Sequence, residues 1–223
     1  MQYVVAVVIG YLLGSVPASV IVARRHGVDL YRTGDRNPGA WNALERLGAR
    51  RAWPAFAGDG AKALAAGLAG QALGGWWVAW AAVAAAMVGH AVPVFARGRG
   101  GKAVMCFVGG AFALAPSAAL VCVALGALVT WARGFAWGAR AGVFAFPIAQ
   151  LATDPVEHVA GTGVLMTLIG ALFMLRRRIP GRASGAPAAA PTSSAAAPRA
   201  DRPAATASRR DRGERSSGPA LRP

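Results

Sequence analysis

Charge is scarce in this chain. Only 15% of its 223 residues are Asp, Glu, Lys or Arg, against about 25% in a soluble domain. With 55% hydrophobic residues, the shortage excludes an ordinary soluble fold and indicates a polytopic membrane protein. Acid is the scarcer sign: nine Asp and Glu stand against 24 Lys and Arg, a formal net charge of +15. Such an excess can mark nucleic-acid binding. Here the cations follow the loops and the tail, as orientation charge does, so no nucleic-acid partner is expected. The two cysteines, Cys106 and Cys122, lie in apolar stretches and read as small core residues, not as a disulfide or metal pair. No His/Cys/Asp set has zinc spacing and no Ser-His-Asp arrangement is visible, so neither a metal nor another cofactor is expected. The N-terminus, MQYVVAVVIGYLLG, lacks a basic n-region and reads as a first transmembrane helix, not a signal peptide. There is no internal repeat of fixed period.

What is present is a series of apolar runs, at about 3–23, 53–73, 76–96, 103–116, 117–132, 137–153 and 159–175. A span needs roughly 20 residues, so several of these are short. Residues 103–132 read either as one long helix or as two broken at Pro116-Ser117. Charge parity favours two. Arg24, Arg25, Arg32, Arg36, Arg46, Arg50 and Arg51 crowd the first loop, Arg97, Arg99 and Lys102 follow the third run, and Arg176, Arg177 and Arg178 follow the last. Placing all three clusters on the cytoplasmic side requires an even number of spans between Lys102 and Arg176. The expectation is an all-α protein of about seven transmembrane helices, N-terminus outside and C-terminus cytoplasmic. Residues 1–178 form the membrane domain. Residues 179–223, rich in Ala, Pro, Ser and Arg, form a disordered basic cytoplasmic tail whose arginines can sit near anionic lipid.

Three polar sets converge on the cytoplasmic face. Gly14-Ser15-Val16-Pro17 interrupts the first helix, which hydrocarbon tolerates only where neighbours satisfy the freed backbone groups. The first loop reads Arg32-Thr33-Gly34-Asp35-Arg36-Asn37-Pro38-Gly39-Ala40-Trp41-Asn42, with Asn37 and Asn42 as turn and cap residues. Asp59 and Lys62, three apart on one helical face of the second run, are either a boundary ion pair or a functional pair. The third set is Gly89 to Lys102, GHAVPVFARGRGGK. Lys62 and Lys102 are the only lysines among the 24 cations. A lysine after Gly100-Gly101 places a compact positive charge where glycine backbone can approach an anion closely. His90 has an ordinary alternative as a membrane-end histidine bonded to a carbonyl. The turn is no nucleotide P-loop, for it lacks the upstream glycine and follows no strand.

These residues resemble the bacterial glycerol-3-phosphate acyltransferases that use acyl phosphate as donor, the PlsY family. Gly14-Ser15-Val16-Pro17 is similar to its first-helix motif, Asn37-Pro38-Gly39-Ala40-x-Asn42 to part of its first loop motif, and Asp59-x-x-Lys62 to its second-helix pair. Gly89-His90-x-x-Pro93-Val94-Phe95 with Gly100-Gly101-Lys102 is similar to its second motif. The resemblance covers residues 8–110 by motif and extends to about 178 by topology. It implies a multi-pass protein of the bacterial cell membrane with cytoplasmic active-site loops. Its substrates would be acyl phosphate and glycerol 3-phosphate, and its product lysophosphatidic acid. Among the residues it implicates, His90, Lys102, Asn37 and Asn42 would be catalytic. Ser15, Arg36, Arg46, Asp59, Lys62, Gly100 and Gly101 would bind substrate or phosphate.

Departures are equally specific. The family's Gly-Ser-Gly-Asn is here Gly34-Asp35-Arg36-Asn37, its Thr before the second Asn is Trp41, and an arginine three residues after that Asn is Glu45, followed by Arg46. The small residue after the lysine is Ala103, not Gly, and the third family motif is replaced by Arg176, Arg177 and Arg178. Asp35 and Glu45 put negative charge where phosphate would bind. Three accommodations are open: Arg36 and Arg46 turn in, the two carboxylates pair with them and face away, or the acceptor differs. A paralogue that binds lipid or anions, or regulates a true acyltransferase, is the rival reading. A small transporter fits the helix count, but its polar residues would lie at the midplane.

Overall fold

Every apolar run is helical, because a chain in hydrocarbon must satisfy each backbone N–H and C=O within itself. The computed structural model describes residues 1–177. The tail expected at 179–223, and Arg178, lie outside the described residues. Among the described residues there are nine α-helices: α1 (Gln2–Gly14), α2 (Ala18–Arg25), α3 (Ala40–Leu47), α4 (Ala49–Gly74), α5 (Trp76–Ala91), α6 (Val104–Leu114), α7 (Pro116–Arg133), α8 (Phe135–Leu151) and α9 (Val156–Arg177). A short 3-10 turn, Val94–Ala96, follows α5. Among the described residues four segments are long and apolar enough to cross a membrane: Gln2–Arg25, Trp76–Ala96, Pro116–Arg133 and Val156–Met174. The first of them is α1 and α2 in line, interrupted at Ser15-Val16-Pro17, as the Gly-Ser-x-Pro pattern anticipates.

The run at 103–132 is two helices. Ala115 leaves helical geometry (φ −151°, ψ 73°), and Pro116, whose missing N–H costs nothing at a helix start, opens α7. With 11 residues, α6 rises about 16 Å, roughly half the ~30 Å hydrocarbon thickness.

Residue contacts show which helix ends lie together. Gly10 faces Ala82 and Gly14 faces Ala86, so α1 and α5 run parallel. Gly70 against Ala79 and Gly67 against Val83 make α4 antiparallel to α5, while Gly60 against Met105 and Gly67 against Ala113 make α6 parallel to α4. Gly126 and Gly142 meet their partners as α7 and α8 form an antiparallel hairpin. The Trp80 indole donates to Gly161 O at 2.7 Å, and Trp76 stacks on His158, which sets the start of α9 beside the start of α5. The loops after α2, α5 and α7, and the end of α9, therefore share one end of the bundle. The turns after α4, α6 and α8 share the other. Arg24, Arg25, Arg32, Arg36, Arg97, Arg99 and Lys102 fall at the first end. Asp154 and Glu157 fall at the second.

Alanine and glycine line these helix contacts. Buried Ala6, Ala63, Ala66, Ala79, Ala82 and Ala86 form the centre of the core. Between helices in lipid, small residues allow backbones to approach, and packing takes the place of hydrophobic exclusion. Gly10 shows the consequence: a Cβ there would collide with the Ala82 backbone carbonyl, which cannot yield. Gly10→Ala is expected to destabilise the fold by about 1–3 kcal/mol, the usual range for overpacking. Gly163→Ala meets nothing within 4 Å and should be tolerated. Thermal unfolding of both variants in the same detergent checks this, and equal midpoints would contradict the close packing of α1 on α5.

Candidate active site

The break in the first helix sets the site's floor. Pro17 has no N–H, and the Val16 carbonyl has left the α-helical ladder. It accepts instead from Ala18 N at 3.0 Å and from the Lys62 ammonium at 2.8 Å. Lys62 is carried there by α4 and has three protons to give. The second approaches Asp59 Oδ1, one turn earlier on α4, at 3.1 Å, and the third reaches His90 Nδ1 at 2.8 Å. Because an ammonium only donates, Nδ1 must accept, which leaves the ring proton on His90 Nε2. Asp59 Oδ2 accepts from the Ser19 hydroxyl of α2 at 2.5 Å. All of these side chains are buried; Asp59 is 1% exposed and Lys62 7%. The opposite charges of Asp59 and Lys62, 3.1 Å apart, compensate each other in this burial.

Ser15 closes the break from the other side. Its hydroxyl donates to Tyr11 O at 2.8 Å and accepts from Val94 N at 3.3 Å, tying α1 to the 3-10 turn. Tyr11 adds a bond from its hydroxyl to Val92 O at 3.0 Å.

His90 connects this floor to the glycine turn above. Its carbonyl accepts from Gly101 N at 3.0 Å. A Cβ on Gly100 would strike that carbonyl, and one on Gly101 would strike the His90 ring. Both glycines are thus demanded by contact. Lys102 comes next and is half-exposed at the mouth, followed by Ala103 in left-handed geometry (φ 60°, ψ 9°) as the cap of α6. That geometry suits glycine better than alanine, and the positive end of α6 adds to the charge of Lys102.

The first loop folds over the same mouth. Asn42, fully buried on α3, donates its amide to Leu30 O, Thr33 O and Asn37 O at 3.0–3.2 Å and so gathers the loop from within. Asn37 is buried as well. Tyr31 OH donates to Arg99 O at 3.0 Å while the Arg99 guanidinium covers the Tyr31 ring, which joins this loop to the glycine turn. Asp35 and Lys102 pair across the same gap at 3.1 Å. A cavity of about 10 Å³, room for about one water, lies between Ser15, Pro38, Asp59, Lys62, His90 and Gly100. On the far side of Lys102, the ring of Phe173 on α9 lies 5.6 Å from its ammonium.

The structure thus divides the residues singled out in the sequence. Ser15, Asp59, Lys62, His90, Gly100 and Gly101 meet in one buried brace, with Ser19 as a member the sequence did not disclose. Lys102, Asn37 and Asn42 belong to the mouth above it. Arg36, with φ 54°, and Arg46 are exposed beside it, and the Arg46 guanidinium lies against Gly34. The two new carboxylates do not pair with Arg36 or Arg46. Glu45 accepts from the Trp41 indole at 2.8 Å on the surface of α3, and Asp35 pairs with Lys102 itself. The contact of Tyr31 with Arg99 also went unforeseen, since nothing in their spacing links positions 68 residues apart. Among the described residues no three His, Cys, Asp or Glu side chains come together as a metal group.

Fold and site define a helical integral membrane protein whose polar machinery is gathered at one end of the bundle. The chain belongs to the glycerol-3-phosphate acyltransferase family, whose model matches residues 4–180. It is 38% identical over 180 residues to a glycerol-3-phosphate acyltransferase of Rubrobacter xylanophilus, covering 79% of this chain and 88% of that one. It is 39% identical over 181 residues to the one of Neisseria meningitidis, covering 77% and 88%. Its fold is similar to the crystal structure of PlsY, an integral membrane glycerol 3-phosphate acyltransferase. The match to the glycerol 3-phosphate form has a TM-score of 0.67 at 29% identity, over 80% of this chain and 89% of that one. A second PlsY structure, the lysophosphatidic acid form, matches with a TM-score of 0.66 at 28% identity.

The brace makes a stability prediction that is independent of activity. Lys62→Met leaves Asp59 as an uncompensated buried charge and takes a donor from Val16 O, at a cost of about 3–5 kcal/mol. Adding Asp59→Asn should restore much of the loss. A double variant as unstable in thermal unfolding as the single one would contradict the pairing.

Proposed function

We propose that the protein transfers a fatty acyl group from acyl phosphate to the 1-hydroxyl of glycerol 3-phosphate, giving lysophosphatidic acid and phosphate, at the cytoplasmic face of a bacterial cell membrane. The observation that carries this reading is Lys102: a half-exposed ammonium on a glycine turn held by His90, in a chain of this family. The orientation rests on the positive-inside rule, since the Lys102 end of the bundle carries the arginine-rich loops and the other end carries Asp154 and Glu157.

In the reaction, the acceptor hydroxyl oxygen attacks the acyl carbonyl, the carbonyl carbon–oxygen bond to phosphate breaks, and the hydroxyl proton leaves with the phosphate. No covalent enzyme intermediate is needed, so positioning and charge stabilisation carry the catalysis. Lys102 with the Gly100-Gly101 backbone neutralises phosphate and the carbonyl oxygen as charge develops. Arg36 and Arg46, beside the mouth, add phosphate contacts. Asn37 and Asn42 hold the loop that closes over the substrates, and Ser15, Asp59, Lys62 and His90 hold the floor. An apolar cleft of about 530 Å³ runs between α6 and the α7–α8 hairpin, lined by Val104, Met105, Phe107, Cys122, Gly142 and Phe146 among others. It begins two residues past Lys102 and takes the acyl chain in this reading.

The Asp35–Lys102 pair favours one rival, a relative that binds anions without turnover. A single assay separates them. The purified protein is given acyl phosphate and glycerol 3-phosphate, and lysophosphatidic acid is measured. The native chain should make product, and Lys102→Ala should lower kcat/KM by about 10²–10³-fold, as loss of a charge-stabilising donor does. Equal rates in the two proteins would end the acyltransferase reading.

A further inference from the structure

Lys102 is the half-exposed cation that ends the glycine turn, yet its charge is already engaged. Asp35 Oδ2 lies 3.1 Å from its ammonium, with both side chains 39% exposed. The carboxylate is held by more than that contact. Its other oxygen, Oδ1, accepts from Asn37 N at 3.0 Å, so the side chain is turned back on its own loop with Oδ2 presented to Lys102. Asn37 in turn sits on the buried clamp of Asn42, which accounts for the fixed position of the loop. Asp35 is therefore a pre-oriented anion seated on the lysine.

We propose that Asp35 is a specificity-determining residue that occupies Lys102 in the substrate-free protein and yields to a phosphate-bearing substrate. This rests on the reading of Lys102 as the phosphate contact. A phosphomonoester carries more charge and more acceptor oxygens than a carboxylate, and it makes stronger charge-assisted bonds to an ammonium. It can displace Asp35, whereas singly charged anions compete with a tethered carboxylate at a disadvantage. Displacement is feasible because a half-exposed ion pair is weak, worth at most about a fivefold change in an equilibrium. It need not open the fold either, since Tyr31 and Arg99 join the two loops independently of Asp35. Asp35 thus raises the threshold for weak anions without sealing the site.

The test is Asp35→Asn, which keeps the acceptor for Asn37 N and removes only the charge, beside Asp35→Glu, which keeps the charge. The KM values for glycerol 3-phosphate and for acyl phosphate are measured separately, together with the inhibition constant of inorganic phosphate. Asp35→Asn should lower the phosphate inhibition constant and the KM of whichever substrate docks on Lys102 by about two- to fivefold. Its kcat should stay within about twofold, and Asp35→Glu should remain near the native values. Unchanged constants, or a raised KM, would overturn the proposal. So would a fall in kcat at constant KM, which would put Asp35 in the chemistry. Direct binding of inorganic phosphate to native protein and Asp35→Asn, by calorimetry in detergent, separates this from the functional reading. If neither protein makes product yet the variant binds phosphate several-fold more tightly, the acyltransferase reading fails and the role of Asp35 stands. Equal binding, or none in either, refutes it.

Discussion

A helix broken inside a membrane leaves a carbonyl without its partner, and the donor that repairs this one is Lys62. Its ammonium reaches Val16 O, and bringing it there obliges the rest. A buried cation needs Asp59, Asp59 needs the Ser19 hydroxyl on the far side of the break, and the remaining ammonium proton needs an acceptor, supplied by His90. Four helices, α1, α2, α4 and α5, are thereby locked at one depth by groups that cannot be left unsatisfied in hydrocarbon. His90 then carries the constraint outward, because its carbonyl and ring define the space in which Gly100 and Gly101 must lie.

This arrangement separates rigidity from reactivity. The brace pairs its charges internally and gives the turn a fixed base. Lys102 stands just beyond it, half in water, facing a loop that is clamped by Asn42 and tied back by Tyr31 and Arg99. Small residues make the same economy possible throughout the bundle. Gly10 and Gly14 on α1, and Gly67 and Gly70 on α4, bring backbones to contact distance, so the polar side chains near the break meet without long reach. A cleft lined by Val104, Phe107, Cys122 and Phe146 lies between α6 and the α7–α8 hairpin.

The Pro17 break, Asp59, Lys62 and His90 were legible in the sequence because each violates the local rule. A Pro in a first span, an Asp and a Lys in a second and a His at the end of a third are costly in lipid, and cost singles them out. The seven apolar runs and the break at Pro116 were legible for the same reason, through length and backbone chemistry. Ser19 was not, since a serine on an apolar helix is unremarkable until a carboxylate is seen beside it. Asn42 read as a turn or cap residue, and only the fold shows it gathering three carbonyls from within the loop. Asp35 and Glu45 were visible as departures, but their partners were not: one turned to Lys102, the other to Trp41.

Local chemistry alone determined that this chain is a helical membrane protein with its cations at one end, that its first helix breaks at Ser15-Val16-Pro17, and which costly polar residues it carries. Periodicity, length and the missing proline N–H act over a few residues, so they can be read in order along the chain. Tertiary structure decided which of those residues meet. The division into a buried brace and an exposed mouth, and the capture of Lys102 by Asp35, depend on the parallel and antiparallel packing of helices far apart in sequence. Alanine and glycine permit close packing, and around the break the need to satisfy one buried lysine helps to fix the register.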